Sequence, residues 1–227
     1  EYKQDSSPLT LADKKANYII EYGLNKLPIN LPILSEEGKE TPYKERKYWK
    51  YFWLVDPLDG TKEFVKKNGE FTVNIALIHK DTPVLGVVYA PALDICYWSK
   101  QGGGAFKDGK RLPLKVEKQR DTLKIVSSRS HMSDETQAFI DAINTLKEKK
   151  LISIGSSLKI CLVAEGGADI YPRLGPTMEW DTGAAHAIAD EAGSKLRKYD
   201  GDQYFKHEYN KETLLNQWFV VGEMPCK

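Results

Sequence analysis

The chain has 227 residues, with 33 Lys and Arg against 32 Asp and Glu, a formal net charge of +1. That balance excludes a binder of nucleic-acid polymers driven by bulk electrostatics, which needs a basic excess to neutralise phosphates. Hydrophobic residues at 41% and charged residues at 29% describe a globular chain and exclude a disordered one. No apolar run approaches the roughly 18 residues of a membrane span, and Glu1–Asp5 does not read as a signal peptide. Cys96, Cys161 and Cys226 are widely spaced, match no CxxC or zinc pattern, and fit a reducing compartment. A cytoplasmic location is expected, with peripheral contact at the inner membrane left open.

From Leu11 to Leu27, Ala16, Ile19, Ile20, Leu24 and Leu27 recur at helical spacing, and Thr10 with Asp13 has the form of a capping box. Leu31–Leu34 and Phe52–Val55 read as short buried strands. Phe71–Ile78 and Val84–Ala90 read as a hairpin, and Gly102–Gly104 and Asp108-Gly109 mark tight turns in a β-rich stretch ending near Val116. After about residue 120 the pattern alternates. Leu123–Ser127 is a strand, and Ser133 caps a helix with Phe139, Ala142, Ile143 and Leu146 on one face. Lys147–Lys150 reads as a solvated helix end and Leu151–Ile154 as a strand. A helix from Ser157 to Glu165, a strand at Ala168–Tyr171, a helix from Asp181 to Ala192 and a strand at Trp218–Gly222 complete the chain. The expected fold is a layered α/β arrangement of two subdomains, residues 1–120 and 121–227.

The densest chemistry is Asp56-Pro57-Leu58-Asp59-Gly60-Thr61, where a hydrophobic strand delivers two aspartates into a turn. Acids clustered at a strand end repel one another, and a hard divalent cation such as Mg²⁺ offsets them through carboxylate and backbone oxygens. A solvated Asp-rich turn is the plain alternative. Glu36 ends the preceding strand and reaches Asp56 if those strands are neighbours. Asp181 opens a late helix, either as a simple N-cap or as a further ligand.

Asp56–Thr61 and Trp180-Asp181-Thr182-Gly183-Ala184 together resemble the two signatures of the inositol monophosphatase superfamily. Lys62-Glu63-Phe64, Asn68–Asn74 and Gly155-Ser156-Ser157-Leu158-Lys159 are more specifically similar to its CysQ branch, the 3′(2′),5′-bisphosphate nucleotidases. The resemblance runs from Ser7-Pro8-Leu9-Thr10 to the last strand; the family normally has a further helix ahead of that point. It implies the alternating helix and sheet layers of the sugar-phosphatase fold. It also implies two or three Mg²⁺ ions held by Glu36, Asp56, the Leu58 carbonyl, Asp59 and Asp181, with Glu36 part of the catalytic set. Thr61 orients an attacking water and is itself held by Asp13, which touches the third ion. Gly60, Thr61, His131, Ser156, Lys159, Arg173 and Asp181 are implied to meet the substrate. That substrate is adenosine 3′,5′-bisphosphate, with the sulfated analogue as a further candidate, in sulfur assimilation, and the resemblance implies inhibition by lithium. No obligate protein partner is expected. The rival readings are an inositol monophosphatase or a fructose-1,6-bisphosphatase, which would lack the Lys62–Phe64 and Ser156–Lys159 patterns, and a catalytically idle nucleotide-binding or interaction protein that keeps the fold. The glycine run Gly102–Gly104 is read as a hairpin turn, since no phosphate-loop lysine follows it.

Overall fold

The computed structural model describes residues 10–114, 121–128, 132–201 and 203–223. In chain order it runs α1 (Leu11–Leu24), β1 (Ile33–Ser35), α2 (Tyr43–Arg46), β2 (Tyr51–Asp59), α3 (Thr61–Val65), β3 (Thr72–His79), β4 (Thr82–Ala90), β5 (Ile95–Lys100), β6 (Gly104–Lys107) and β7 (Lys110–Arg111). The second half contributes β8 (Thr122–Ser128), α4 (Asp134–Ala142), β9 (Glu148–Ile154), α5 (Leu158–Ala164), β10 (Ile170–Arg173), α6 (Glu179–Glu191), β11 (Leu196–Asp200), β12 (Gln203–Lys206) and β13 (Phe219–Gly222).

The strands form two sheets, β1 to β7 in sequential order and a six-stranded sheet ordered β12-β11-β13-β10-β8-β9. Helix α6 packs against β2 to β6 of the first sheet, and α5 lies between α6 and strands β8, β10 and β13 of the second. Helix α1 touches β2, and α4 touches β10, so helix and sheet layers alternate as expected. The main core joins Leu54, Ile78 and Val88 of the first sheet to Ile188 of α6 and to Tyr171 and Phe219 of the second. Burying each such side chain contributes about 1.5–3 kcal/mol. A smaller core, Ile125, Ile140, Ile143 and Val220, joins the second sheet to α4.

Several expectations need correction. Helix α1 ends at Leu24, and Asn25 follows as its C-cap; Ile19 is exposed, while Asp13 and Asn17 are the residues it buries. Leu146 lies beyond α4 and is fully exposed, not on its apolar face. Residues 148–150 belong to β9, an edge strand, where a helix end was expected. The capping box of Thr10 and Asp13 is present, and Gly102–Gly104 is a hairpin turn between β5 and β6.

Candidate active site

Two local devices turn the carboxylates toward one another. Asp56 and Asp59 are three residues apart, a spacing that in a regular strand would point them to opposite faces. Asp56 pairs with Asn74 and Asp59 with Thr72, so β2 advances three residues where β3 advances two. This bulge, containing Pro57 with its missing donor, inserts the extra residue that restores both aspartates to one side. The acids therefore sit in a bulged strand and not in the turn expected from the sequence. Gly60 follows with φ +89°, a left-handed conformation, and a Cβ there would meet Glu70 O and Ser156 Cβ at 3.3 Å.

The second device is the start of α6. Met178 is its N-cap, and Asp181 stands at the third helical position, not at the cap. Its Oδ2 accepts the Met178 N–H at 2.8 Å, and the positive end of the helix dipole favours its charge. Asp56, Asp59 and Asp181 each bring one oxygen within 4.8 Å of the others. Strand β1 runs parallel to β2 with Ser35 opposite Val55, and this places Glu36 against Asp56, to which its carboxyl is hydrogen-bonded.

The hydrogen bonds also orient the oxygens. Asp59 Oδ2 accepts the Ser157 N–H at 2.6 Å, Asn74 Nδ2 at 3.3 Å and Thr72 Oγ1 at 3.4 Å. Asp56 Oδ1 accepts the Leu58 N–H at 3.0 Å. One oxygen of each carboxylate is thus tied to the protein. Burial, then Glu36 and the two other aspartates, raises the Asp56 carboxyl well above the usual range. Burial and then Asp59 push Asp181 up to about 8. Acids this close and this dry are the arrangement that a divalent cation neutralises, and an all-oxygen donor set fits a hard ion.

Asp13 is fully buried and serves two partners. Its Oδ2 accepts Thr10 N–H at 2.8 Å and Thr10 Oγ1 at 2.5 Å. Its Oδ1 lies 3.4 Å from Thr61 Oγ1, whose other acceptor is the Leu58 carbonyl, also at 3.4 Å. The capping role and the contact to Thr61 coexist.

The cluster lines a cavity of about 760 Å³. Glu36, Asp56, Leu58, Asp59, Gly60 and Thr61 line it together with Ser156, Lys159, Arg173 and Asp181. Lys159 stands in the first turn of α5, where burial, reinforced by Arg173, lowers its pKa against the pull of Asp59, Glu63 and Asp181. Arg173 ends β10, buried, and donates from Nη2 to the Pro176 carbonyl at 2.8 Å. Ser156 has φ +47° and a buried hydroxyl with no hydrogen-bond partner among the described residues. His131 lies outside the described residues.

The sequence reasoning named Asn74 and Ser157 only within the motifs that carry the resemblance and gave them no role in the site; both sit among the carboxylates. Asn74 did carry a signal: on β3 the buried positions alternate Thr72, Asn74, Ala76 and Ile78, and a polar residue on a core-facing position needs a partner.

The sequence profile of the inositol monophosphatase family matches residues 1–223. The 3′(2′),5′-bisphosphate nucleotidase CysQ of Salmonella typhimurium is 49% identical over 222 residues, covering 96% of this chain and 87% of that protein. Its namesake from Escherichia coli K12 is 47% identical over 223 residues, covering 97% and 87%. The crystal structure of CysQ from Bacteroides thetaiotaomicron superposes with a TM-score of 0.88 at 46% identity, over 99% of this chain and 88% of that one. With its two acidic signatures brought together in one cavity, the chain belongs to the inositol monophosphatase family.

Proposed function

We propose that this protein is a Mg²⁺-dependent 3′(2′),5′-bisphosphate nucleotidase that hydrolyses adenosine 3′,5′-bisphosphate to AMP and phosphate. The observation that carries this reading is the cavity itself, whose lining brings the clustered Asp56, Asp59 and Asp181 together with Lys159 of α5 and Arg173 of β10. The names of its relatives at 47–49% identity point to the same substrate class.

Glu36, Asp56, the Leu58 carbonyl, Asp59 and Asp181 would hold the metal, with Asp13 at the edge of the set. Bound Mg²⁺ supplies charge for the phosphoryl oxygens and makes water a better nucleophile at neutral pH. The chain's own residues do the rest. Thr61, its hydroxyl proton directed at Asp13 or the Leu58 carbonyl, turns a lone pair outward and orients the water. Gly60 lets the backbone approach the scissile phosphate. Lys159 and Arg173 hold the 5′-phosphate, Arg173 through a planar fork suited to two oxygens. The Ser156 hydroxyl, without a partner among the described residues, is available to the nucleotide, and His131 is assigned to its ribose or base. We extend the same site to the sulfated analogue.

Phosphate release from adenosine 3′,5′-bisphosphate, 3′-AMP, inositol 1-phosphate and fructose 1,6-bisphosphate, with MgCl₂ and then with EDTA, tests the reading. Adenosine 3′,5′-bisphosphate should be the best substrate, with turnover lost in EDTA and depressed by LiCl more than by KCl. Preferential release from inositol 1-phosphate would replace this reading with that of an inositol phosphatase. No release from any of the four would leave only a binding protein.

A further inference from the structure

Asp59 and Asp181 come from different layers, and two neutral side chains join them. Asn74 on β3 and Ser157 immediately before α5 are almost fully buried, at 1% and 3% exposure. The Ser157 hydroxyl donates to the Asp181 carbonyl at 2.6 Å, while the Ser157 N–H donates to Asp59 Oδ2 at 2.6 Å. Asn74 Nδ2 donates to the Ser157 Oγ at 3.0 Å and to Asp59 Oδ2 at 3.3 Å. The first sheet, the turn into α5 and the first turn of α6 therefore meet at one hydroxyl.

Proton accounting leaves this knot a single arrangement. A hydroxyl has one proton, and here it goes to the Asp181 carbonyl, so Ser157 can only accept from Asn74. The Asp59 carboxylate also only accepts. Both neighbours thus demand the NH₂ of the Asn74 amide, and its oxygen must face away. That oxygen, Asn74 Oδ1, is buried with no hydrogen-bond partner among the described residues. An amide placed for packing alone would not be held with its acceptor unpaired, since an unmade buried hydrogen bond is unfavourable.

We propose that Ser157 and Asn74 are positioning residues that hold Asp59 and Asp181 at the separation a divalent cation needs. Neither would touch the cation. They act by fixing Asp59 Oδ2 and holding the start of α6 to β2, so that the carboxylates converge before the ion arrives. This rests on the carboxylates being the metal ligands of the proposed phosphatase.

Calorimetric titration of the folded protein with MgCl₂ tests it, together with the thermal midpoint of each metal-free protein. Ser157→Ala and Asn74→Ala should each lower Mg²⁺ affinity about tenfold or more, in the range that supporting residues of a metal site typically show. Both should leave a cooperative thermal transition. The double variant should lose little more than the worse single, because both side chains act through one knot. Raising Mg²⁺ should restore turnover of adenosine 3′,5′-bisphosphate by Ser157→Ala, a rescue that a damaged fold would not show. Folded Ser157→Ala and Asn74→Ala with parental Mg²⁺ affinity would overturn the inference alone, as would fully additive losses. Failure of the parent protein itself to take up Mg²⁺ would overturn the metal reading on which it depends.

Discussion

At the scale of single residues the site is a conflict between folding and charge. Asp181 has its carboxyl pushed up to about 8, chiefly by burial and then by Asp59, from an ordinary value of 3.8. A carboxyl whose pKa is higher in the folded chain supports folding below its unfolded pKa, and that support fades as the pH rises through the folded value. The metal-free protein should therefore lose stability from about pH 4 to pH 8, and Asp56, raised in the same direction, adds to the loss. Cations remove the conflict, so the gain in thermal midpoint on adding MgCl₂ should be larger near pH 8 than near pH 6. At a hundredfold excess over Kd the gain is about 2.7 kcal/mol, or roughly 5–10 °C for a chain of this length. A gain independent of pH in differential scanning fluorimetry would separate the ion from these carboxylates. Asp59→Asn removes one of the repelling charges and one ligand together. The variant should be at least as stable as its parent without metal, gain little from Mg²⁺, and retain at most about a tenth of the phosphatase activity.

Between elements, close approach and buried polar chemistry decide what can change. Gly86 of β4 faces α6, and a Cβ there would lie 2.1 Å from the Ala184 carbonyl oxygen. Helix α6 can lie against this sheet because Gly86, Gly183 and Ala184 leave room. Gly86→Ala should lower stability by about 3 kcal/mol or more, and a thermal midpoint within a degree of the parent would refute that contact. Behind the same helix, His207 is pushed down to about 3, mainly by burial and then by His186. Its Nε2 meets Asn216 Oδ1 at 3.1 Å. Asn216 uses its NH₂ on Thr177, Met178 and Thr182, so His207 must donate and is neutral with its proton on Nε2. A base with a depressed folded pKa supports folding above its unfolded value of 6.5, and the support is lost as pH falls toward 3. Relative to His207→Gln, the parent should lose about 2 kcal/mol between pH 6.5 and pH 5 in urea unfolding; parallel pH profiles would show that His207 is not the titrating group. These elements were legible to different degrees. Strands with an inner face, such as β3 and β4, announce themselves by alternation or apolar runs. Residues 148–150 of β9 and the hairpin of β11 and β12 were not read as strands; β9 and β12 are sheet edges, where exposed charged positions carry no apolar period. Asp181 was placed at a helix cap because Met178 offers no side-chain signal of a start.

Across the whole molecule the site is shared between the two sheets and the helices α5 and α6, and for that reason it was only partly legible. The two acidic signatures could be read through their resemblance to those of a known family, but Ser157 donating to Asp59 spans 98 positions of sequence, and no local pattern announces such a contact. The bulge that aligns Asp56 with Asp59 is likewise a property of the β2–β3 register and not of either strand alone. The division of labour has a consequence that can be measured. In the proposed function, the carboxylates held by β2 and α6 meet the scissile 3′-phosphate of any suitable ester, while Lys159 and Arg173, held by α5 and β10, meet the second phosphate. Damage to the first group should fall equally on all substrates, and damage to the second only on those with a 5′-phosphate. A hydrogen bond to a charged group contributes about 1.5–3 kcal/mol, so losing it should lower kcat/KM roughly 10–100-fold. Arg173→Ala should therefore lower kcat/KM for adenosine 3′,5′-bisphosphate by that factor and leave 3′-AMP, which has no 5′-phosphate, within about threefold of the parent. Arg173 also donates to the Pro176 carbonyl, and local loosening of that turn would lower both substrates together, which the ratio of the two values cancels. An unchanged ratio would mean that Arg173 supports the cavity wall and does not read the second phosphate, and selectivity would then have to come from Lys159, Ser156 and the base.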